Sequence, residues 1–418
     1  MNMFTCIHIV PAISPQINDV GNYALNLALH LRQSRGIQSR FIVCDPEWNG
    51  PGRVESFGVR RLRLRTEAGI WGLLASAKEK DSAVLLHYAG YGYDKLGAPL
   101  WLYRGIKSWM DEQSGCRGAS RMQFCTVFHD LWKSCSKPWK TEFYLRKLQE
   151  SLVKGLHARS KLSVASTRRM HYMLDNFEPH KSLWLPIPSN VPVTDRNHSG
   201  RQANGRLRTV ILGSPEARCA AVKAHANLLR SLEAKGMLDR AMLLGTGNDN
   251  AGAMKEDVGR LQECVSGQRT LVLGRLNPAE VSRHLSEADL LLSPYSGEIA
   301  CNSGSFMAAL AARCPAVLRD GENTAPLQEN EHFVASDDSC VSVRRFEQIM
   351  ADGRLDQIAT AGRQWYDRHA DWNVIAKKYD EVFCHPALLV GEALTGQERS
   401  NLWKRQRQTT GAIAHQTV

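Results

Sequence analysis

The stretch SPYSGEIACNSGSFMAALAARCPAVL (293–318) decides how the chain is read. It follows an apolar run, ADLLL (288–292), and leads into the turn-rich segment RDGEN (319–323). The run reads as a buried strand, and FMAALAA (306–312) reads as a helix whose small residues let it pack close to its neighbours. Between the two stand Asn302, Ser303, Gly304 and Ser305, with Glu298 upstream in the same loop. Backbone N–H groups at a helix start have no partner inside the helix. With hydroxyl donors and the helix dipole beside them they hold an anion. Several donors converging without a fixed fork geometry suit a phosphate better than a carboxylate; a simple helix cap is the other reading.

The segments around this loop repeat one alternation. RTVILGS (208–214), AMLLGTG (241–247), TLVLG (270–274) and AVLR (316–319) are strand-like. Helices are predicted over about 216–235 and 251–265, and NPAEVSRHLSEA (277–288) opens with an Asn cap and Pro at the first helical position. The N-terminal half reads the same way. FTCIHIV (4–10), RFIVC (40–44), AVLLHY (83–88) and MQFCTVFHDLW (122–132) are strand candidates, and VGNYALNLALHLRQSRG (20–36) has helical spacing. Continuous apolar strands separated by helices imply parallel sheets covered on both faces. PIPSNVPVTDRNHSGRQANGR (186–206), rich in Pro, Asn, Ser and Gly, reads as a linker. The expected fold class is therefore α/β, two doubly wound Rossmann-like domains facing across a cleft. The predicted units are 1–188, a linker over 189–206, 207–368, a closing helical region over 369–394 and a basic tail over 395–418.

Composition sets outer bounds. The chain has 418 residues, 43% of them hydrophobic and 23% charged, which suits two globular domains. No run approaches the ~18 apolar residues that span a bilayer. The start reads as a first strand, not as a signal peptide. Eleven cysteines without a C-x-x-C pair give neither a disulfide framework nor a zinc site, and a cytoplasmic location is expected. The net charge of +11 points to an anionic partner. It is concentrated over 131–161 and in the tail at Lys404, Arg405 and Arg407.

In doubly wound sheets, ligands bind beyond the carboxyl ends of the strands, so the strand-to-helix turns carry the candidates. SPQINDVGNYAL (14–25) brings Asn18 and Gly21, but without the G-x-G-x-x-G fingerprint of a dinucleotide site; Asp19 as a helix cap with Gly21 as a tight turn is the other reading. VFHDLW (127–132) places His129 at a strand end, where it serves either as a hydrogen-bonding structural residue or as a cleft side chain. HYAGYGYDKLG (87–97) offers Tyr88 and Tyr91 for stacking on a sugar or for packing the loop. ILGSPEARCAAVK (211–223) supplies Gly213 and Ser214 at a helix start, with Arg218 and Lys223 as cations for a phosphate; Arg218 as an ordinary surface residue is the other reading. In LLGTGNDN (243–250), Gly245 permits close backbone approach.

In their order and spacing over about 370 residues, these pieces resemble GT-B glycosyltransferases, most closely family 4 of the retaining enzymes. The resemblance rests on VGNYALNLALHLRQSRG, FHDLW, LPIPSNV, LLGTG, LGRLNPAEVSRHLSEADLLLSPY, ALAARCPAVL and HADWNVIAKKYDEVF (369–383). It implies transfer of a sugar from a nucleotide diphosphate donor held mainly by the second domain to an acceptor held mainly by the first. No metal and no further cofactor are implied. By position, His129 would contact the donor sugar near the reacting carbon, with Arg218 as the second catalytic group. Gly21, Gly213, Ser214, Lys223, Gly245, Glu298, Asn302, Ser303, Gly304 and Ser305 would bind the nucleotide sugar, and Asn18, Tyr88 and Tyr91 the acceptor.

One departure stands out. The family's two glutamates, about eight positions apart, fall here near Ala300 and at Ala308, and Glu298 is out of register. Loss of such a charged hydrogen bond, roughly 1.5–3 kcal/mol, weakens nucleotide binding by about 10- to 150-fold.

The resemblance implies work on cell-surface polysaccharide or glycolipid, with a glycan or polyprenyl-linked acceptor at the cytoplasmic face of the inner membrane. DLWKSCSKPWKTEFYLRK (130–147) would rest on anionic headgroups and PLWLYRGIKSWM (99–110) would add an interfacial apolar face; ordinary helix surface and core is the other reading of both. A catalytically silent GT-B subunit and a nucleotide-sugar epimerase are the alternatives. Nucleic-acid binding rests on net charge alone and is not expected.

Overall fold

The structure, a computed structural model, describes residues 4–16, 18–77, 82–115, 122–132, 141–193, 205–245, 251–321 and 326–384. The first sheet contains β1 (Thr5–Val10), β2 (Gln38–Val43), β3 (Arg53–Val54), β4 (Phe57–Arg61), β5 (Ser82–Tyr88), β6 (Gln123–Phe128), β7 (Ser163–Ala165) and β8 (Ser182–Trp184). Their spatial order is β3-β4-β2-β1-β5-β6-β7-β8. Only the short β3–β4 pair is antiparallel. Helices α1 (Asp19–Arg35), α2 (Glu67–Ala75), α3 (Gly90–Tyr93), α4 (Leu100–Gly115), α5 (Thr141–Arg159) and α6 (Arg168–Asp175) belong to this half.

The second sheet contains β9 (Leu207–Leu212), β10 (Leu238–Leu244), β11 (Thr270–Gly274), β12 (Leu290–Ser296), β13 (Ala316–Arg319) and β14 (Val334–Ser336). All its pairings are parallel, in the order β11-β10-β9-β12-β13-β14. That order reverses direction between β9 and β12, which makes their carboxyl ends the place where a ligand is expected. Its helices are α7 (Pro215–Ala224), α8 (Ala226–Ala234), α9 (Ala251–Gln262), α10 (Pro278–Glu287), α11 (Gly297–Ala300), α12 (Gly304–Ala311), α13 (Cys340–Ala351) and α14 (Leu355–His369). The last described helix is α15 (Trp372–Cys384).

Local sequence explains several of the helix ends. The Asn18 side chain caps α1 by accepting from Gly21 N at 2.8 Å, and Gly36 closes the helix in the left-handed conformation. Asn277 and Glu280 form a reciprocal capping box on α10, with Pro278 in its first turn.

The helix predicted over about 216–235 is instead two helices, broken at His225. The ring of His225 turns inward to Ser293 O, Nε2 at 2.8 Å. Asp338, distant in sequence, caps the second piece by accepting from Asn227 N at 2.9 Å and Leu228 N at 3.0 Å. These bonds tie the α7–α8 junction to β12 and the start of α8 to the segment just after β14.

The chain returns to its first half at the end. Tyr379, Val382 and Phe383 of α15 pack with Cys6, Tyr23, Leu27 and Leu31. Trp372 Nε1 donates to Ser189 O at 2.7 Å, and Ser189 N donates to the Tyr366 hydroxyl at 3.2 Å. These bonds tie the last helices to the crossing segment. No helix among the described residues is long and apolar enough to cross a membrane.

Candidate functional site

In the second half, the site floor is backbone. Gly245 has φ +130°, and a Cβ there would stand 2.1 Å from Gly213 O, so β9 and β10 end in touching backbones that only glycine allows. Arg218 fixes this floor. Its Nη1 donates to Gly213 O at 2.7 Å and Leu244 O at 3.4 Å, and its Nε donates to Asp257 Oδ2 at 2.6 Å. The side chain is 1% exposed. This corrects the expectation of Arg218 as a free cation of the reaction: burial and the Asp257 carboxylate engage it under the floor. Ser214 caps α7 through Ala217 N, and Lys223 is exposed near the end of that helix.

The loop after β12 forms one wall. Ser303 is the N-cap of α12, accepting from Phe306 N at 3.4 Å, and its hydroxyl lies 3.0 Å from that of Ser305. The first main-chain bond of the helix is Met307 N to Ser303 O, which leaves the N–H groups of Gly304 and Ser305 ahead of it. Asn302 Nδ2 donates to His129 O at 3.4 Å, while its Oδ1 is buried without a hydrogen-bond partner. The Asn302 amide therefore ties this loop to the strand end that carries His129. The Glu298 side chain lies outside the described residues; its backbone belongs to α11. Ala300 and Ala308 are packed in an apolar cluster with Met242, Leu244 and Phe306.

His129 forms the opposite wall and is partly exposed. Behind it the structure reveals a feature that the sequence analysis missed. His129 Nε2 lies 3.3 Å from His87 Nδ1, and His87 Nε2 lies 3.0 Å from His8 Nδ1. His8 Nε2 lies 3.2 Å from Ser39 Oγ. The rings of His8, His87 and His129 stack in sequence, 5.3 and 5.6 Å between centroids. Burial pushes His8 down to about 3 and His129 down to about 4. His87 is lowered well below the usual range, first by burial and then by its two neighbours. All three rings are neutral near pH 7. The available signal was a polar residue inside each of two apolar strand runs, CIHIV and VLLHY.

Gly21 is a packing glycine. A Cβ there would lie 1.9 Å from Ala12 O, and its N–H is bonded to Asn18. Beside them is a cavity of about 430 Å³ lined by Pro11, Ala12, Gln16, Asn18, Asp45 and Arg65 among others. Asp45 and Arg65, an ion pair at 3.6 Å, were not foreseen as lining residues. Tyr88 is corrected: at 0% exposed it cannot touch an acceptor. Tyr91 is half-buried and accepts from Gln149 Nε2 at 3.2 Å.

Two parallel-sheet domains, joined by a crossing segment and by a final helix returning to the first, face each other across this site. Solved structures with the same arrangement cover nearly the whole chain. A glycosyltransferase from Rickettsia africae ESF-5 superposes with TM-score 0.60 over 93% of this chain and 99% of its own, at 11% identity. This is the GT-B fold. Sucrose-phosphate synthase from Thermosynechococcus elongatus gives TM-score 0.63 over 91% and 98%, at 13% identity. HepE from Anabaena, solved with UDP and glucose, gives 0.62 over 91% and 99%, at 10% identity. No protein-family model and no curated protein sequence matches the chain. In GT-B terms, the Ser303–Ser305 helix start and His129 stand on opposite sides of the interdomain cleft. Asn302–His129 and Ile187 N to Cys301 O, at 3.1 Å, bond across it.

Proposed function

We propose that this protein is a retaining glycosyltransferase using a nucleotide diphosphate sugar. The second domain would hold the donor, and the first would hold a glycan or polyprenyl-linked acceptor. The observation that carries the reading is the meeting of the α12 start with His129 through Asn302. In this scheme the N–H groups of Gly304 and Ser305 and the Ser303 and Ser305 hydroxyls take the charge that grows on the leaving diphosphate. Neutral His129 hydrogen-bonds the donor sugar and fixes its reacting carbon. The cavity bounded by Asn18, Asp45 and Arg65 receives the acceptor. The scheme assigns no metal, so turnover should persist in excess chelator. HepE was solved with UDP-glucose, which favours UDP as the first nucleotide to try.

A peripheral contact with anionic membrane is part of the proposal. Tyr144, Arg146 and Lys147 are exposed together on α5. Residues 133–140, with Lys133, Lys137 and Lys140, and the tail beyond 384 lie outside the described residues. A second reading, a silent binding subunit, is favoured by one observation: the glutamate positions of the resemblance are alanines in an apolar cluster. The test is release of nucleoside diphosphate from UDP-, GDP-, ADP- and TDP-sugars with polyprenyl-diphosphate glycan in anionic vesicles. Proton NMR of the new anomeric centre reads the stereochemistry. Release with retention is expected; release from none of the donors would favour the silent subunit.

A further inference from the structure

Three histidines and a serine run in one file through the first domain. Ser39 on β2, His8 on β1 and His87 on β5 are 4%, 0% and 0% exposed, and the file ends at His129 beyond β6 in the cleft. A sheet core normally excludes imidazoles, because a buried polar group without a partner costs about 1–3 kcal/mol. Here both ring nitrogens of His8 and both of His87 are used within the file. We infer that Ser39, His8 and His87 are positioning residues for His129, coupling its orientation and tautomer to theirs. The catalytic consequence rests on the proposed role of His129; the coupling itself does not.

The coupling follows from proton counting. A neutral imidazole has one N–H donor and one acceptor nitrogen. If His8 donates from Nδ1, His87 must accept at Nε2 and donate from Nδ1. His129 then accepts at Nε2 and carries its proton on Nδ1. If His8 instead donates from Nε2 to Ser39, every proton is reversed. The file has only these two orders, so all three rings share one tautomer, all Nδ1–H or all Nε2–H. His129 cannot change tautomer alone. Its Nδ1 is thereby set as a donor or an acceptor for whatever enters the cleft. Tyr23 adds a steric limit, meeting the His129 ring edge-on at 5.0 Å with its hydroxyl 3.1 Å from that of Tyr379. Phe41 stacks on His8 at 5.0 Å on the far side.

The test is nitrogen NMR of the full chain labelled with 15N-histidine at pH 7.5, with the three rings assigned by single substitutions. The expected spectrum shows His8, His87 and His129 in the same tautomer. In H87F, which keeps a ring but no hydrogen bond, His129 should fall into a mixture of tautomers. H87Q, with one donor and one acceptor, should restore part of the order. In turnover, H87F should lower kcat by about 10- to 100-fold, the scale of a misplaced catalytic contact, with little change in donor KM. Rings of the wild-type file in different tautomers, or in unequal tautomer ratios, would overturn the inference, and that measurement needs no variant to fold. An unchanged His129 tautomer in folded H87F would also overturn it. Absent turnover in the wild-type protein would instead sink the transferase reading, with the tautomer pattern still deciding the file.

Discussion

The Arg218–Asp257 pair gives the most quantitative prediction. Both side chains are about 1% exposed and meet at 2.6 Å, and the same guanidinium holds Gly213 O at 2.7 Å. Asp257→Ala leaves that charge buried with only neutral carbonyl partners. Breaking a buried pair in this way costs about 3–5 kcal/mol. Arg218→Met has a similar cost, since it leaves Asp257 unpaired and the Gly213 carbonyl without its donor. The double variant Arg218→Met/Asp257→Leu removes both charges and leaves mainly the carbonyl unsatisfied, a loss of about 1–3 kcal/mol. The two single costs therefore should not add; their coupling should be about 3 kcal/mol or more. Urea unfolding of the four proteins, followed by tryptophan fluorescence, measures the cycle. Because Gly213 and Gly245 form the floor of the proposed donor site, folded Asp257→Ala should also bind nucleotide less tightly. A loss below about 1 kcal/mol for Asp257→Ala, or additive single costs, would refute the reasoning.

Three further outcomes are expected. Gly21→Ala places a Cβ 1.9 Å from Ala12 O, so backbone must shift, and thermal unfolding should show a loss of about 1–3 kcal/mol. The three histidines of the file make stability fall in acid. Their folded pKa values lie below the ordinary 6.5, so their contribution is full above pH 6.5 and is lost as pH falls toward about 4 for His129 and about 3 for His8. Each adds a slope of up to about 1.4 kcal/mol per pH unit, and urea titrations of His8→Phe should show a shallower slope than wild type. Ala308→Glu would put a carboxyl group at a site 2% exposed in an apolar cluster. It should lower stability in urea and fail to tighten nucleotide binding; tighter binding in calorimetry would mean that the position faces the ligand.

The alternation of apolar runs and helical spacing was enough to read two doubly wound domains, because a strand covered on both faces has little choice but a continuous apolar run. The Asn277 cap and the Pro278 after it were legible from local sequence alone. His225 and Asp338 were not: the break in the 216–235 helix depends on a carboxylate from beyond β14. Arg218 looked like a surface cation because nothing local announces its partner Asp257. The histidine file was hidden differently. His8 and His87 stand on separate strands and His129 just past the end of a third, and only the order β1-β5-β6 brings them into line. Tyr88 was misjudged because a tyrosine among glycines looks the same in sequence whether its ring packs inward or outward.

The most direct measurement is calorimetric titration of the purified protein with UDP, GDP, ADP and TDP, in wild type and in Ser303→Ala/Ser305→Ala. The account predicts micromolar binding of one nucleotide that the double substitution weakens at least tenfold, about 1.4 kcal/mol. Binding of none of them, or binding indifferent to both serines, would contradict it.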